Sequence, residues 1–261
     1  MPGVEVAYIN AGEGPVVLFL HGFPFDKSMW SDQIEALSAA GFRGVVPDLR
    51  GLGETKAAGE ISTMEEMARD AATVLDQVGI EQAVICGLSM GGYVAFEFAH
   101  LFPSRVRGLV LAGTRAPADN EQEKVGREQQ VQTMLRAGMV PISIATVPKL
   151  LAERTRTEKP DVVKRVRTMI TRSDPKGAAA AQRGMAARRD YTDDLLNITA
   201  STLIIVGRED PIRPVSDAAF MHERIRNSRL EIIEDAAHMA NIEQPEKFNR
   251  ILLDFLNKLV H

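Results

Sequence analysis

The sequence predicts an α/β fold, with a mostly parallel central sheet flanked by helices and a helical cap inserted in the middle of the chain. Three observations carry this. Short apolar runs alternate with amphipathic stretches over residues 1–114, the alternation stops over 115–195, and it resumes over 196–261. The first and last of these segments are expected to form one core domain, and 115–195 its helical cap insertion.

Each element follows from its pattern. Residues 4–9 read as an N-terminal strand pairing antiparallel at the sheet edge. Runs at 15–20, 43–47, 83–87 and 106–112 are apolar almost throughout, as strands buried on both faces must be. Between them, 27–40, 63–79 and 89–101 carry helical spacing, which makes successive βαβ units and hence a parallel sheet. From 115 to 195 charged helical segments follow one another, broken by Pro141, Pro148, Pro160 and Pro175. The strand at 202–207, a helix at 215–226, the strand at 230–234 and a last helix at 245–259 complete the core.

Composition bounds the function. The chain has 261 residues, 45% hydrophobic and 25% charged, which is ordinary for a globular protein. A net charge of −4 advertises no basic surface, so nucleic-acid binding is not expected. Cys86 is the single cysteine and cannot form an intramolecular disulfide. No basic segment followed by an apolar signal core opens the chain, and no apolar run approaches the roughly 20 residues of a membrane span. The expectation is a soluble protein of a reducing compartment, cytoplasmic by default, with no membrane partner.

The run Gly87-Leu88-Ser89-Met90-Gly91-Gly92 lies between an apolar strand and a helix. Gly-x-Ser-x-Gly in that context makes a tight turn that projects the serine hydroxyl above the sheet. The competing reading is a glycine-rich turn that binds phosphate at a helix N-terminus. No Walker sequence and no complete Gly-x-Gly-x-x-Gly supports it; Gly12 and Gly14 have no third glycine.

A serine hydroxyl needs a base and an acid that orients the base. His238 lies just beyond the strand at 230–234, where a loop at the carboxyl end of the sheet would present it. His100 and His222 fall within helices and His261 at the terminus, so these read as surface or packing residues. His21 reads as a loop-ordering residue. Asp210, in Gly207-Arg208-Glu209-Asp210-Pro211, is the candidate acid; Glu209 and Asp119 compete with it. The backbone N–H groups of Phe23, in His21-Gly22-Phe23-Pro24, and of Met90 are candidates for an oxyanion hole. Cys86 reads as a small core residue. No cluster with metal-ligand spacing appears, so neither metal nor cofactor is expected.

Taken together, His21-Gly22-Phe23-Pro24, Asp48-Leu49-Arg50-Gly51-Leu52-Gly53, the run from Gly87 to Gly92, Gly207 to Asp210 and Ala237-His238 resemble the α/β-hydrolase superfamily. Gly-Leu-Ser-Met-Gly-Gly, Gly-Arg-Glu-Asp-Pro and Asn241-Ile242-Glu243-Gln244-Pro245 look like the small carboxylesterase and 3-oxoadipate enol-lactonase group. The resemblance implies that Ser89, Asp210 and His238 form a catalytic triad, and that the loop carrying Asp48, Arg50, Gly51 and Gly53 is structural. Ser89 departs from the carboxylate nucleophile of haloalkane dehalogenases, and Met239 from the lysine of hydroxynitrile lyases. Phe23 leaves a perhydrolase or haloperoxidase side activity open.

The expected function is a serine hydrolase cleaving carboxylic ester bonds of small substrates through an acyl-enzyme. An enol-lactone hydrolase is the alternative, and a hydrolase-fold ligand receptor the non-enzymatic one. Substrate choice is expected in the insertion. Met134, Met139, Met169 and Met185 there would line a pocket or fill a core, and one of Arg136, Arg172, Arg183, Arg188 and Arg189 could anchor a substrate carboxylate.

Overall fold

Runs in which every side chain is apolar are stable only where both faces of the strand are covered, and the chain builds its centre from such runs. The computed structural model describes residues 4–57 and 59–260. Among them, β1 (Tyr8–Ala11), β2 (Val16–Leu20), β3 (Arg43–Pro47), β4 (Ala83–Leu88), β5 (Val106–Ala112), β6 (Thr202–Gly207) and β7 (Ser228–Ile233) form one sheet, ordered β1-β3-β2-β4-β5-β6-β7. β1 is antiparallel to β3, and the other pairings are parallel. Every residue of β2, β4 and β6 is buried.

The edge strand differs from expectation. It begins at Tyr8 rather than Val4 and runs on to Ala11, because its register matches Tyr8 to Pro47 and Ala11 to Gly44. Before Tyr8 the backbone takes another partner, with Ala7 N–H donating to Thr55 Oγ1 at 3.0 Å.

Helices α1 (Ser31–Ala39), α2 (Met64–Gln77) and α3 (Met90–Leu101) connect the early strands. Thr63 starts α2 with a capping box, accepting from Glu66 N–H while the Glu66 carboxylate accepts from Thr63 N–H. The parallel connections place the carboxyl ends of β2, β4, β5, β6 and β7 along one rim, and the loops there carry all the candidate site residues.

Between β5 and β6 come α4 (Glu121–Ala137), α5 (Val140–Leu150), α6 (Glu153–Glu158), α7 (Pro160–Arg172) and α8 (Pro175–Ala186), with no strand among the described residues of this stretch. Its prolines mark helix starts more than breaks. Pro160 and Pro175 occupy the first positions of α7 and α8, where the missing N–H has no intrahelical partner to lose, and Pro148 is tolerated inside α5. Met134, Met139, Met169 and Met185 are all nearly inaccessible and fill the interior of this stretch. The chain closes with α9 (Val215–Arg224), the short α10 (Ala240–Glu243) and α11 (Pro245–Val260). Among the described residues no helix is long and apolar enough to cross a membrane.

Candidate active site

The turn after β4 is built around an unusual backbone. Ser89 has φ 55° and ψ −112°, a conformation an L-residue adopts only when its surroundings impose it. Three bonds do so. Ser89 N–H donates to the Ala112 carbonyl at 2.9 Å, and the Ser89 carbonyl accepts from Gly92 N–H and from Thr114 Oγ1, each at 2.9 Å. Gly91 makes room for the turn, since a Cβ there would overlap the Leu20 carbonyl oxygen. The serine is thus held at the start of α3 with its side chain off the helix axis.

The acid and base candidates sit on loops after neighbouring strands. His238 Nδ1 donates to Asp210 Oδ2 at 2.7 Å, and both residues are 4% exposed. The other oxygen, Asp210 Oδ1, accepts from Ile212 N–H at 2.8 Å and Arg213 N–H at 2.9 Å, so the carboxylate is fixed before it meets the ring. With Nδ1–H committed to Asp210, His238 Nε2 is left as the acceptor. Arg213 Nη2 continues the chain to the Tyr93 hydroxyl on α3 at 2.6 Å.

The end of β5 lies between the serine and this pair. Ala112 accepts from Ser89 N–H, and the next residue, Gly113, has φ 48° and lies against His238. A Cβ on Gly113 would lie 3.4 Å from His238 Nδ1 and 3.5 Å from Asp210 Oδ2, so any larger side chain would enter the space the pair occupies.

The rival residues are placed elsewhere. Glu209 is exposed, and its N–H bonds the Ala236 carbonyl at 2.9 Å. Asp119 is buried among arginines, bonded to Arg188 Nη1 at 2.8 Å, to Arg115 Nη2 at 2.9 Å and to Arg127. Burial alone would raise its pKa, but Arg127 and Arg188 hold the carboxyl well below the usual carboxylate range. His21 spends both ring nitrogens on its loop: Nδ1–H donates to the Gly22 carbonyl and Nε2 accepts from Leu49 N–H, both at 2.9 Å. Burial lowers its pKa and keeps it neutral. His100 and His222 have half-open surface positions near Asp194 and Ser228. His261 lies outside the described residues.

Phe23 and Met90, the oxyanion candidates, come from the two segments that meet at Ser89. A Cβ on Gly22 would lie 3.5 Å from the Ser89 Cβ, which sets the loop after β2 directly against the turn that carries Ser89. Met90 is the first residue of α3, where a backbone N–H has no partner within the helix. Phe23 N–H has no protein acceptor among the described residues.

The remaining motif residues are structural. Asp48 accepts from Lys27 N–H and Nζ, each at 2.6 Å, and from Glu54 N–H at 2.8 Å. Arg50 forks onto Asp70 at 2.7 and 2.8 Å. Burial pushes the Cys86 thiol far above its ordinary value, which makes it inert. Four of the arginines weighed as carboxylate anchors are already paired: Arg172 with Asp26, Arg183 with Glu128, Arg188 with Asp119, and Arg189 with Glu97 and Asp194. Arg136 is exposed on α4. Among the described residues no group of three His, Cys, Asp or Glu is placed to hold a metal ion. The sequence does not reveal the contacts of Thr114, Gly113 and Glu243, Glu243 standing there only as part of a motif, because these are contacts with backbone groups that no local pattern announces.

Comparison with known proteins agrees with this architecture. The chain is 29% identical over 252 residues to the 3-oxoadipate enol-lactonase 1 of Acinetobacter baylyi, covering 96% of this chain and 92% of that protein. A thermophilic esterase from Thermogutta terrifontis superposes with a TM-score of 0.96 at 40% identity, covering 98% of this chain and 94% of that one. The enol-lactonase from Burkholderia xenovorans LB400 superposes with a TM-score of 0.90 at 27% identity, covering 98% of each. The alpha/beta hydrolase fold family matches residues 15–245, a span that runs from β2 through His238 to the first residue of α11. With the strand order, the turn at Ser89 and that match in agreement, the chain is a member of the alpha/beta hydrolase fold family.

Proposed function

We propose that the protein is a serine hydrolase that cleaves carboxylic ester bonds of small substrates through Ser89, His238 and Asp210. The observation that carries this reading is the buried 2.7 Å bond from His238 Nδ1 to Asp210, together with a serine held at φ 55° in the turn after β4. A histidine so oriented presents Nε2 as a base.

Ser89 Oγ attacks the acyl carbon while His238 Nε2 takes its proton, and Asp210 stabilises the imidazolium. The carbonyl oxygen becomes an oxyanion held by the N–H groups of Phe23 and Met90, donors of a kind each worth about 10²–10³ in rate. His238 returns the proton to the leaving alkoxide, which departs as the alcohol. Water, deprotonated by His238, then attacks the acyl-Ser89 ester, and the acid leaves as Ser89 regains its proton. No metal or cofactor enters these steps.

Residues 115–195 act in this reading as a cap on the core formed by 1–114 and 196–261, and they select the acyl group. The enol-lactonase relatives favour a second substrate class, a small lactone, for which the same steps apply with the leaving oxygen tethered to the acyl group. A fluorophosphonate should label Ser89, and Ser89→Ala should abolish both labelling and hydrolysis of p-nitrophenyl esters. Full turnover by the Ala variant would overturn the scheme. A single covalent event without turnover would instead indicate a receptor. A panel of short-chain esters, aryl esters, lactones and enol-lactones then ranks the substrates.

A further inference from the structure

The loop that carries His238 is tied on both sides to one short segment of the inserted helices. Met239 N–H, just after the base, donates to the Leu150 carbonyl at 3.1 Å. Ala237 N–H, just before it, donates to Glu243 Oε1 at 2.7 Å, and Glu243 Oε2 accepts from Ala152 N–H, also at 2.7 Å. A single carboxylate therefore bridges the base loop to the junction of α5 and α6. Two further contacts follow the same seam: Lys159 Nζ donates to the Glu243 backbone carbonyl at 2.7 Å, and Arg154 lies 3.7 Å from Asp235.

Glu243 is fully inaccessible, and its carboxylate forms no ion pair among the described residues. Burial pushes its carboxyl above the ordinary glutamate value, and the Thr155 hydroxyl together with the N–H groups of Ala152 and Ala237 works against that rise. A buried charge without a counter-ion is an expensive way to join two loops, and packing alone would do the same with apolar side chains. What the carboxylate adds is direction: two N–H groups, 85 positions apart in the chain (237 − 152 = 85), are aimed at one group of fixed shape.

We propose that Glu243 is a positioning residue for the base, coupling the segment Leu150–Ala152 of the inserted helices to the backbone of His238. This rests on the reading of His238 as the base of an ester hydrolase. The inserted helices then act on turnover as well as on substrate choice, because a displacement at the end of α5 is passed through Glu243 to the peptide preceding His238. Misplacement of a catalytic group by a fraction of an ångström is enough to lower turnover severalfold.

Two variants test the two ends. In Glu243→Gln the amide offers one acceptor oxygen, so one N–H bond is replaced by opposed donors. Ala152→Pro removes only the distal N–H. Its backbone already suits proline, with φ −56° at Ala152 and an extended Leu151 at φ −121°, ψ 137°. With p-nitrophenyl acetate, kcat should fall about tenfold or more in Glu243→Gln and about threefold or more in Ala152→Pro, with KM within about twofold of wild type in both. Wild-type kcat in either variant overturns the coupling, and so does a loss confined to KM. If Glu243→Gln does not fold, Ala152→Pro decides alone. Absence of fluorophosphonate labelling at Ser89 in the wild type would instead remove the hydrolase reading, whereas normal labelling with unchanged kcat in both variants removes this inference only.

Discussion

The sheet core and the inserted helices are stabilised by different physics. β2, β4 and β6 bury every residue and pair through backbone ladders that any apolar sequence of the right period could supply. The stretch from α4 to α8 rests on particular pairs. Asp119 gathers Arg115, Arg127 and Arg188, and Arg127 reaches Gln182 on α8 at 2.7 Å. Its seat on the core is also polar: Arg172 forks onto Asp26 at 2.7 and 2.8 Å, and Ser173 Oγ donates to the Pro24 carbonyl at 2.6 Å. Apolar ladders tolerate exchange of one residue for another of similar size, whereas a paired network loses most when one member is removed. The core is therefore suited to holding chemistry constant, and the insertion to changing what reaches it.

The largest expected effect separates chemistry from packing within the core. Asp210→Asn should lower kcat on p-nitrophenyl esters by about 10⁴-fold, since the amide can hold the wrong imidazole tautomer, while the thermal midpoint shifts by only a few degrees. A loss below tenfold would mean that Asp210 is not the orienting acid. Next is Gly91→Ala, which forces a Cβ onto the Leu20 carbonyl oxygen and should destabilise the fold by about 3 kcal/mol or more in denaturant titration. Wild-type stability there would show that the turn can relax, against the rigidity argued for the core.

The inserted helices answer differently. Asp119→Asn leaves three arginines around a neutral group and should destabilise by about 3 kcal/mol at neutral pH. Because its folded pKa is depressed, the Asp119 contribution is present above the ordinary carboxylate range near about pH 4 and is lost as pH falls through the folded value. The variant should therefore show a shallower loss of stability on acidification, and an unchanged acid limb would contradict the network. Arg172→Ala, at a half-exposed site, should cost about 1 kcal/mol or less, with a larger effect on proteolysis of the inserted segment than on global unfolding. Smallest of all, Glu209→Gln should leave kcat within about twofold, because Glu209 is solvent-exposed beside the acid. A severe loss would make Glu209 the acid in place of Asp210.

The same contrast explains what could be read in the sequence. The placement of Ser89, Asp210 and His238 at one rim of the sheet is legible because each follows an apolar strand within a few residues. β1 was placed four residues early because Val4 and Val6 continue an alternation that the register with β3 does not use. The arginines of the insertion looked available as ligands, since nothing local reveals that Arg188 meets Asp119 or that Arg172 meets Asp26. Glu243 was visible only as part of a terminal motif. Its partners are backbone N–H groups, one of them 91 positions away, and backbone groups carry no residue signature.

The strand order has a consequence for the timing of folding. Ser89 leaves β4, near the middle of the sheet, whereas His238 follows β7, which is both an edge and the last strand in the chain. During synthesis the serine and its turn emerge 149 residues before the histidine, and long-range parallel pairings of this kind close late. A nascent or partly folded chain therefore carries the Ser89 hydroxyl without His238, and under the proposed function it is then chemically as quiet as any surface serine. Under the proposed function, reactivity arrives with the closing pairing of β6 and β7, so the appearance of fluorophosphonate labelling during refolding would report completion of the whole sheet.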